Sequence, residues 1–357
     1  MTPDTIPGTS PDTTIESVLV YVTSGVDDAL GENVLKLPML LALAERFPAA
    51  RIAWVPGTSG FMFLEKHLAP LVGGRIDEFI TDLEIPVEPW AALRARRAIL
   101  ARRFDLVVDT QRYLGRTLFL RRIPHRRFVS GTWRYLLSDR RPPRGVALRP
   151  PLLVDKLTGL VAAASGRPIA VANPIPVPEA WQRRAASLLP AGPIYVGLAP
   201  GLGNKASGKD WPLENFLALA RLQIERGRTP VIMLGPGERA WQDAVRRALP
   251  AALVPDLDSG DAGPEAVGGP TLTVALGGRV AAAVANDSGG GHLLAVGGAP
   301  MVSLFGPTRP EKYAPFARAL IVIKAQDHGS DRIASIPVGA VAEAVDRQVA
   351  VGPARRD

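Results

Sequence analysis

The sequence predicts an α/β protein made of two Rossmann-like, parallel-sheet domains that face each other across a cleft. Short apolar and β-branched runs alternate with amphipathic segments of helical period along most of the chain. The alternation pauses over 140–178, a proline-rich region with one predicted helix, and then starts again. A chain of 357 residues is also too long for one typical core. Two blocks of strand–helix alternation therefore predict two parallel sheets, each covered by helices.

The first block is predicted to run strand, helix, strand, helix, strand. SVLVYV (17–22) and ARIAWVP (50–56) have the composition of buried strands, and NVLKLPMLLALAERF (33–47) between them has helical periodicity. WAALRARRAILARRF (90–104) is predicted to form one basic amphipathic helix before the strand FDLVVDTQ (104–111). That strand ends in polar residues, as expected where the edge of a parallel sheet binds a ligand.

The second block repeats the pattern. VAAAVAND (280–287) fits a short helix or a strand, and LVPDLDSG (253–260) fits a short strand followed by a loop. The other predicted elements are strands over 193–200, 229–236 and 299–307 and helices over 215–227, 238–250 and 272–279. The fingerprint G-x-G-x-x-G does not follow the first strand of the chain, which counts against a standard dinucleotide site.

Composition also suggests the domain boundaries. Residues 1–16 form a polar lead rich in proline and threonine, which we expect to be disordered and which does not resemble a signal peptide. One domain is predicted over 17–170, a linker over 171–180, a second domain over 181–336, and a C-terminal helix and tail over 337–357.

Composition further limits the classes of function. The chain has no cysteine, which excludes disulfides, thiolate metal sites and a cysteine nucleophile. No apolar run reaches the roughly 20 residues that span a bilayer, so we expect a cytoplasmic protein. A net charge of +8, with basic residues concentrated in the first block, favours anionic partners. A glycan acceptor or anionic lipid headgroups at the inner face of the cytoplasmic membrane fit this charge, whereas nucleic acid is not expected.

The most distinctive stretch of the second block consists of Asp287, Ser288, Gly289, Gly290, Gly291 and His292. Its polar residues can cap a helix that begins at the glycines. Glycine lets backbone N–H groups approach a ligand closely, and the helix dipole favours an anion at that end. The stretch therefore predicts either a diphosphate-binding helix N-terminus or a capped helix whose glycines only permit close packing.

Charged residues after other strands of the second block are further candidates. Lys205 and Lys209, in the loop APGLGNKASGKDWP, can neutralise phosphate oxygens or can be solvated surface charges. Glu238 follows a strand and a Gly-Pro-Gly turn. A carboxylate there can accept hydrogen bonds from ribose hydroxyls, or can simply complement a helix dipole.

The first block places carboxylates and arginines in equivalent loops. Asp27, Asp28 and Glu32 follow the first strand, where one can act as a general base or where all can be capping and surface charges. Arg112 and Arg116 follow the strand at 104–111 and are expected to point toward the cleft. Most other arginines of this block are expected to form a solvated face.

Together, and in this order, these motifs resemble glycosyltransferase family 9, the ADP-heptose:lipopolysaccharide heptosyltransferases, from about residue 17 to about residue 318. The matching stretches are Gly31-Glu32 with Leu37-Pro38, FDLVVDTQRYLGRT, Lys209 with Trp211-Pro212, LGPGER, and DSGGGHLLAVGGAPMVSLFGPTRP. The last stretch is the most specific, because it fits the family's aspartate, hydroxyl, glycine and histidine block followed by Leu-Phe-Gly-Pro-Thr.

The resemblance implies a GT-B fold with an acceptor-binding first domain and a donor-binding second domain. It implies inverting transfer of a heptose or related sugar, without metal or cofactor, from a nucleotide-diphosphate donor such as ADP-heptose. An anionic glycan such as the lipopolysaccharide inner core would be the acceptor. The implied donor residues are Lys205, Lys209 and the amides of Ser288–Gly291 for the diphosphate, Glu238 for the ribose, and Asp287 and His292 for sugar or phosphate. The implied acceptor residues are Gln111, Arg112 and Arg116.

The chain departs from the family at the catalytic position. The family has an aspartate after the glycine, and here Glu32 follows Gly31. The preceding loop is about four residues longer, so Asp27 and Asp28 stay alternatives for the base. Two other functions fit the same plan, a nucleotide-sugar isomerase or epimerase and a non-catalytic protein that binds nucleotide sugars.

Overall fold

The computed structural model describes residues 14–22, 29–56, 63–201, 210–257 and 267–351. The chain divides into two compact units. The first unit contains the residues up to Asp28 and Lys36–Val171, and the second contains Ala29–Leu35 and Ala172–Asp357. Both units are α/β, with a parallel sheet covered by helices. The predicted fold class of two Rossmann-like sheets is therefore confirmed.

The first unit contains a five-stranded parallel sheet in its described part. Its strands are β1 (Ser17–Tyr21), β2 (Arg51–Val55), β3 (Glu78–Phe79), β4 (Phe104–Asp109) and β5 (His125–Ser130). The order across the sheet is β3-β2-β1-β4-β5, and every pairing is parallel. The order reverses between β1 and β4, which makes the carboxyl ends of these two strands the expected place for a ligand.

Helices of both units are numbered together along the chain. They are α1 (Leu30–Val34), α2 (Leu37–Arg46), α3 (Ala69–Val72), α4 (Pro89–Arg94), α5 (Leu114–Leu120), α6 (Leu153–Ser165), α7 (Glu179–Leu188), α8 (Leu213–Glu225), α9 (Gln242–Ala248), α10 (Gly269–Gly277), α11 (Gly289–Val296), α12 (Pro310–Tyr313) and α13 (Val338–Val351). Of these, α1 and α7 to α13 belong to the second unit. Within the described ranges, no helix is long and apolar enough to cross a membrane.

The second unit also has a five-stranded parallel sheet among its described residues. Its strands are β6 (Tyr195–Ala199), β7 (Thr229–Ile232), β8 (Ala282–Asn286), β9 (Met301–Phe305) and β10 (Leu320–Lys324). They are ordered β10-β9-β8-β6-β7, so the order reverses between β6 and β8. A single parallel bridge joins Val231 to Leu253 beyond β7. Of the short strand and loop predicted over 253–260, the structure describes residues 253–257, and the strand there is reduced to this one bridge.

Both faces of the second sheet are buried, which explains why its central strands are apolar at most positions. Ala282 and Val284 of β8 face a core that also contains Trp211 and Phe216. Ala283 and Ala285 face the opposite core, beneath α10 and α11. Small side chains on β8 let these helices pack close to the sheet, and this places the N-terminus of α11 directly above the end of β8.

Two helices predicted as continuous are interrupted. The helix predicted over 33–47 is two helices, α1 and α2, because Pro38 lacks an amide hydrogen and suits the first turn of a new helix. The basic helix predicted over 90–104 is also wrong as one element. It consists of α4 and a separate 3₁₀ turn at Ala98–Ala101, with Ala95 and Arg97 extended between them. The ambiguous segment 280–287 contains the strand β8.

Candidate functional site

The end of β8 is tied to the end of β6 by one buried amide. Asn286 is fully buried, and its Nδ2 donates to the carbonyl of Pro200 at 3.1 Å. Its Oδ1 accepts a hydrogen bond from the backbone N of Trp211 at 3.1 Å. The buried indole of Trp211 donates to the carbonyl of Ile336 at 2.9 Å and packs edge-on against Phe216. Asn286 therefore holds Pro200 and Trp211, which lie on either side of residues 202–209 in the sequence, at the point where the strand order reverses.

Helix α11 begins at this point. Ser288 is its N-cap, with extended backbone angles (φ −147°, ψ 165°), and Gly289 is the first helical residue. The predicted start of the helix is therefore correct. Among the residues that the structure describes, the Ser288 side chain makes no capping hydrogen bond and its buried Oγ has no hydrogen-bond partner. The first N–H groups of a helix have no intrahelical acceptor, so this end can accept an anion.

The three glycines at the start of α11 differ in how closely other residues approach them. A Cβ added at Gly291 would lie 2.9 Å from Cβ of Ala285, and one at Gly289 would lie 3.2 Å from Leu30. A Cβ at Gly290 would meet only ordinary contacts, the nearest at 3.6 Å. Close packing thus accounts for two of the glycines. It also brings the first turn of the helix close to the ends of β6 and β8.

The helix α1 packs against α11 within the second unit. A Cβ added at Gly31 would lie only 2.8 Å from Cδ2 of His292, so these two residues are in direct contact. His292 is 5% exposed. Glu32 is the next residue on α1 and is half-buried. The structure therefore brings the predicted base Glu32 into the same unit as the glycine-rich stretch, although 250 residues separate them in the sequence.

Glu238 lies at the carboxyl ends of β6 and β7. It is 5% exposed and belongs to a 3₁₀ helix at Pro236–Trp241. A Cβ added at Gly201 would come within 2.8 Å of its Oε2, and one at Gly235 within 3.1 Å. Because Gly201 and Gly235 have no side chains, the carboxylate of Glu238 has room at this position. The position is the same sheet edge as the start of α11.

Asp287 has a structural contact in addition to its predicted role. Its Oδ2 accepts a hydrogen bond from Thr308 Oγ1 at 2.6 Å, and its backbone N donates to Leu304 at 3.1 Å. These bonds attach the turn before α11 to the end of β9. Lys205, Lys209, Asp27 and Asp28 lie outside the described residues, so their predicted roles are not placed.

Gln111 and Arg112 follow β4 in the first unit, and Arg116 lies on α5. The backbone N of Gln111 donates to Oδ1 of Asp109 at 2.9 Å, which forms a turn directly after the strand. The guanidinium of Arg116 lies over the ring of Tyr113, 5.2 Å from its centre. The three predicted acceptor residues are thus brought together at the carboxyl end of β4. They belong to a different unit from the donor candidates.

Sequence reasoning missed Asp109, which organises this edge. Asp109 is fully buried, and its Oδ2 accepts hydrogen bonds from Thr117 at 2.6 Å and Ser130 at 2.8 Å. Burial raises the pKa of Asp109 to about 6, against the hydrogen bonds and the charge of Arg116, which lower it. The signal in the sequence is an acid at the end of an otherwise apolar strand.

A strained turn follows β5. Trp133, Arg134 and Tyr135 have φ angles of 48°, 56° and 64°, a left-handed run without glycine. Each such residue costs about 1–3 kcal/mol, so the neighbourhood must hold the turn in place. Thr132 does so from one side through its hydroxyl, 2.7 Å from that of Thr117. Tyr135 does so from the other side by burying its ring.

Among the described residues, no group of three or more histidine, aspartate and glutamate side chains could hold a metal ion. The site in the second unit instead offers backbone amides, hydroxyls and a buried carboxylate. These groups match a ligand that has both a charged phosphate end and hydroxyl groups.

Two consecutive Rossmann-like units, with a glycine-rich helix N-terminus at the switch point of the second, define the GT-B class of folds. The family model of glycosyltransferase family 9 (heptosyltransferase) matches residues 92–333, more than half of the chain. The chain therefore belongs to glycosyltransferase family 9, as its motifs indicated.

Known proteins are similar to this chain in sequence and in fold. The chain is 27% identical over 219 residues to lipooligosaccharide heptosyltransferase 2 of Haemophilus influenzae, and the match covers 58% of this chain and 61% of that protein. A family 9 glycosyltransferase structure from Veillonella parvula has a TM-score of 0.62 at 16% identity, covering 94% of this chain and 98% of the other. The structure of E. coli heptosyltransferase WaaC with ADP has a TM-score of 0.59 at 18% identity, covering 93% and 99%.

Proposed function

We propose that the protein transfers a heptose or a related sugar from a nucleotide-diphosphate donor, ADP-heptose being the expected one, to an anionic glycan acceptor. The lipopolysaccharide inner core is the expected acceptor class. The observation that carries the proposal is the start of α11 at the switch point of the second sheet, beside a Ser288 hydroxyl that has no partner within the described ranges. The names of the relatives, which include a lipooligosaccharide transferase and a complex with ADP, support this choice.

The donor's diphosphate would bind at the first turn of α11. The amides from Ser288 to Gly291 would donate to its oxygens, and the helix dipole would favour its charge. Glu238 would accept hydrogen bonds from ribose hydroxyls, since its carboxylate lies at the same sheet edge. Lys205 and Lys209 would neutralise phosphate oxygens, as predicted from the sequence. Asp287 and His292 would contact donor sugar or phosphate.

The transfer step would be a single displacement that inverts the anomeric carbon. A carboxylate, Glu32 or alternatively Asp27 or Asp28, takes the proton of the acceptor hydroxyl while that oxygen bonds to the anomeric carbon. The bond from the anomeric carbon to the diphosphate breaks, and its electron pair leaves with the nucleoside diphosphate. The amides of α11 stabilise that developing negative charge, so neither a metal nor a cofactor is needed.

The acceptor would bind to the first unit. Gln111, Arg112 and Arg116 would contact its anionic groups, and this unit carries most of the basic residues of the chain. An acceptor that is a glycolipid would keep the protein at the inner face of the cytoplasmic membrane. Peripheral attraction of arginines to anionic headgroups would support that location.

Donor binding and transfer can be tested separately. Calorimetric titration with ADP is expected to show binding. Lys209→Ala should weaken this binding, whereas the control Lys66→Ala, at an exposed lysine, should leave it unchanged. Transfer from ADP-heptose to a core oligosaccharide is expected to be slowed by Glu32→Ala but not by the control Glu65→Ala. Chelators should leave the rate unchanged, and the product should have the inverted anomeric configuration by NMR.

The alternatives give different results in the same assays. Absence of ADP binding would overturn the donor site. Binding without transfer, unchanged in Glu32→Ala, would indicate a non-catalytic nucleotide-sugar-binding protein. Conversion of one nucleotide sugar into another without an acceptor would indicate an isomerase or epimerase.

A further inference from the structure

One hydrogen bond joins the turn after β9 to the turn before α11. The hydroxyl of Thr308 donates to Oδ2 of Asp287 at 2.6 Å. This length is typical of a hydroxyl that donates to an ionised carboxylate, and such bonds are about twice as strong as bonds between neutral groups. Both residues are half-buried. Thr308 therefore restricts where the carboxylate of Asp287 can point, directly before the helix that we propose as the diphosphate site.

The turn that carries Thr308 is itself held in place. Nε2 of Gln326, in a 3₁₀ helix at Ala325–His328, donates to the carbonyl of Gly306 at 2.7 Å. A Cβ added at Gly306 would lie 2.7 Å from the carbonyl oxygen of Asp331, so the two backbones pack closely there. The hydroxyl of Thr308 is thus carried by a backbone that is anchored two residues away.

The main chain at the other end of this bond is also fixed. The backbone N of Asp287 donates to the carbonyl of Leu304 at 3.1 Å, and the preceding residue, Asn286, is fully buried at the end of β8. Because the sheet holds the main chain of Asp287, rotation of its side chain is the remaining freedom. The bond from Thr308 limits that rotation.

Charge decides which part of a donor this carboxylate can bind. A carboxylate and a diphosphate are both anionic and repel each other, whereas sugar hydroxyls donate hydrogen bonds to a carboxylate. An ionised carboxylate has about four acceptor sites on its two oxygens, so the bond from Thr308 leaves capacity for a ligand. Asp287 directly precedes Ser288, the N-cap of α11, and so lies next to the proposed diphosphate position. The sugar attached to that diphosphate would supply the hydroxyls.

We propose that Thr308 is a positioning residue, which orients the carboxylate of Asp287 toward a hydroxyl of the donor sugar. Thr308 would thereby contribute to recognition of the sugar rather than of the nucleotide, without touching the donor itself. The inference rests on the proposed function and deepens it, because it assigns Asp287 to the sugar and adds Thr308 to the residues that shape the donor site.

Isothermal titration of the full chain with ADP and with ADP-heptose tests the inference. Thr308→Val removes the hydroxyl at nearly constant volume and should weaken ADP-heptose binding about tenfold, or about 1.4 kcal/mol. ADP binding should not change, because ADP lacks the transferred sugar. Thr308→Ser keeps the hydroxyl and should bind both ligands as wild type does. The matched control is Thr158→Val, which removes a half-buried hydroxyl that donates to a backbone carbonyl of α6, and it should change neither affinity.

A double-mutant cycle tests whether Thr308 acts through Asp287. In the Asp287→Ala background, Thr308→Val should have little further effect on ADP-heptose binding, because the carboxylate that it orients has been removed. Asp287→Ala alone should weaken ADP-heptose binding more than ADP binding. This comparison does not depend on the stability of Thr308→Val, and urea unfolding of each variant shows that the compared chains are folded.

Three results would overturn the inference alone. An unchanged affinity of Thr308→Val for ADP-heptose would show that the hydroxyl does not position a sugar contact. Equal losses of ADP and ADP-heptose binding would show that Thr308 only holds the start of α11. An undiminished effect of Thr308→Val in the Asp287→Ala background would show that it does not act through Asp287. By contrast, a wild-type chain that binds neither ADP nor ADP-heptose would refute the proposed donor site itself.

Discussion

The substitution Gly201→Ala tests the placement of Glu238 without altering any charged group. The added Cβ would lie 2.8 Å from Oε2 of Glu238. A carbon and an oxygen of this kind normally approach to about 3.3–3.6 Å. The carboxylate must therefore move by roughly 0.5 Å or more, because the other partner in the contact is backbone at the end of β6.

This displacement is large compared with the tolerance of a hydrogen bond. Hydroxyl-to-carboxylate bonds are typically about 2.5–2.7 Å long, and a shift of half an ångström removes most of their strength. Hydrogen bonds to a charged group contribute about 1.5–3 kcal/mol, and partial adjustment of the ligand recovers some of that. We therefore expect Gly201→Ala to weaken ADP binding about tenfold, or about 1.4 kcal/mol.

Isothermal titration with ADP measures the effect, and Gly237→Ala provides the matched control. A Cβ at Gly237 meets nothing within 4 Å, although this glycine is adjacent to Glu238. In a double-mutant cycle, Gly201→Ala should add little to Glu238→Ala. An affinity within twofold of wild type, or an equal loss in the Glu238→Ala background, would refute the reasoning.

Four further substitutions test packing, ionisation and the hydrogen bonds of Asn286. Gly339→Ala, which meets nothing within 4 Å, should raise the unfolding temperature, whereas Gly31→Ala should lower it because the new methyl group meets His292 at 2.8 Å. Asp109→Asn should remove a pH dependence: the folded protein holds the Asp109 proton up to about pH 6, while an unfolded aspartate loses it near 3.8. The wild-type free energy of unfolding should therefore fall relative to that of the variant, by about 2 kcal/mol, as pH rises from 4 to 6 in urea titrations. A constant difference across that range would contradict the raised pKa. Asn286→Ala should cost about 2–5 kcal/mol in urea unfolding, because it leaves a buried amide and a buried carbonyl unpaired; a loss below 1 kcal/mol would show that other groups hold the loop.

The central strands could be predicted from the sequence because both faces of each sheet are buried. SVLVYV and FDLVVD are apolar at almost every position, and they became β1 and β4. The strands that were missed, β3, β5 and β10, are edge strands. HRRFVS in β5 carries arginines on its partly exposed half, so it was interpreted as basic surface. An edge strand tolerates charge, and this weakens its apolar signal.

The start of α11 was predictable because its signal is local. Aspartate, asparagine and serine are favoured at helix N-caps, and this preference depends on nearby residues rather than on distant parts of the chain. The position of α1 was not predictable, since it depends on the contact of Gly31 with His292, far along the chain. Asn286 was likewise overlooked as an anchor, because its partners Pro200 and Trp211 come close only in the folded unit.

The contact between α1 and α11 bears on how a base could be positioned. Glu32 follows the first strand of the first unit in sequence, and sequence order alone would assign it to that unit. The packing of Gly31 on His292 instead makes it part of the second unit, where we propose that the donor binds. If Glu32 is the base, its position relative to the departing diphosphate is set by helix packing within one unit. A glutamate in place of aspartate then lengthens the side chain of the base by one methylene group, while the base stays on helix α1. Gly31→Ala should therefore lower the transfer rate at saturating donor, even where ADP still binds.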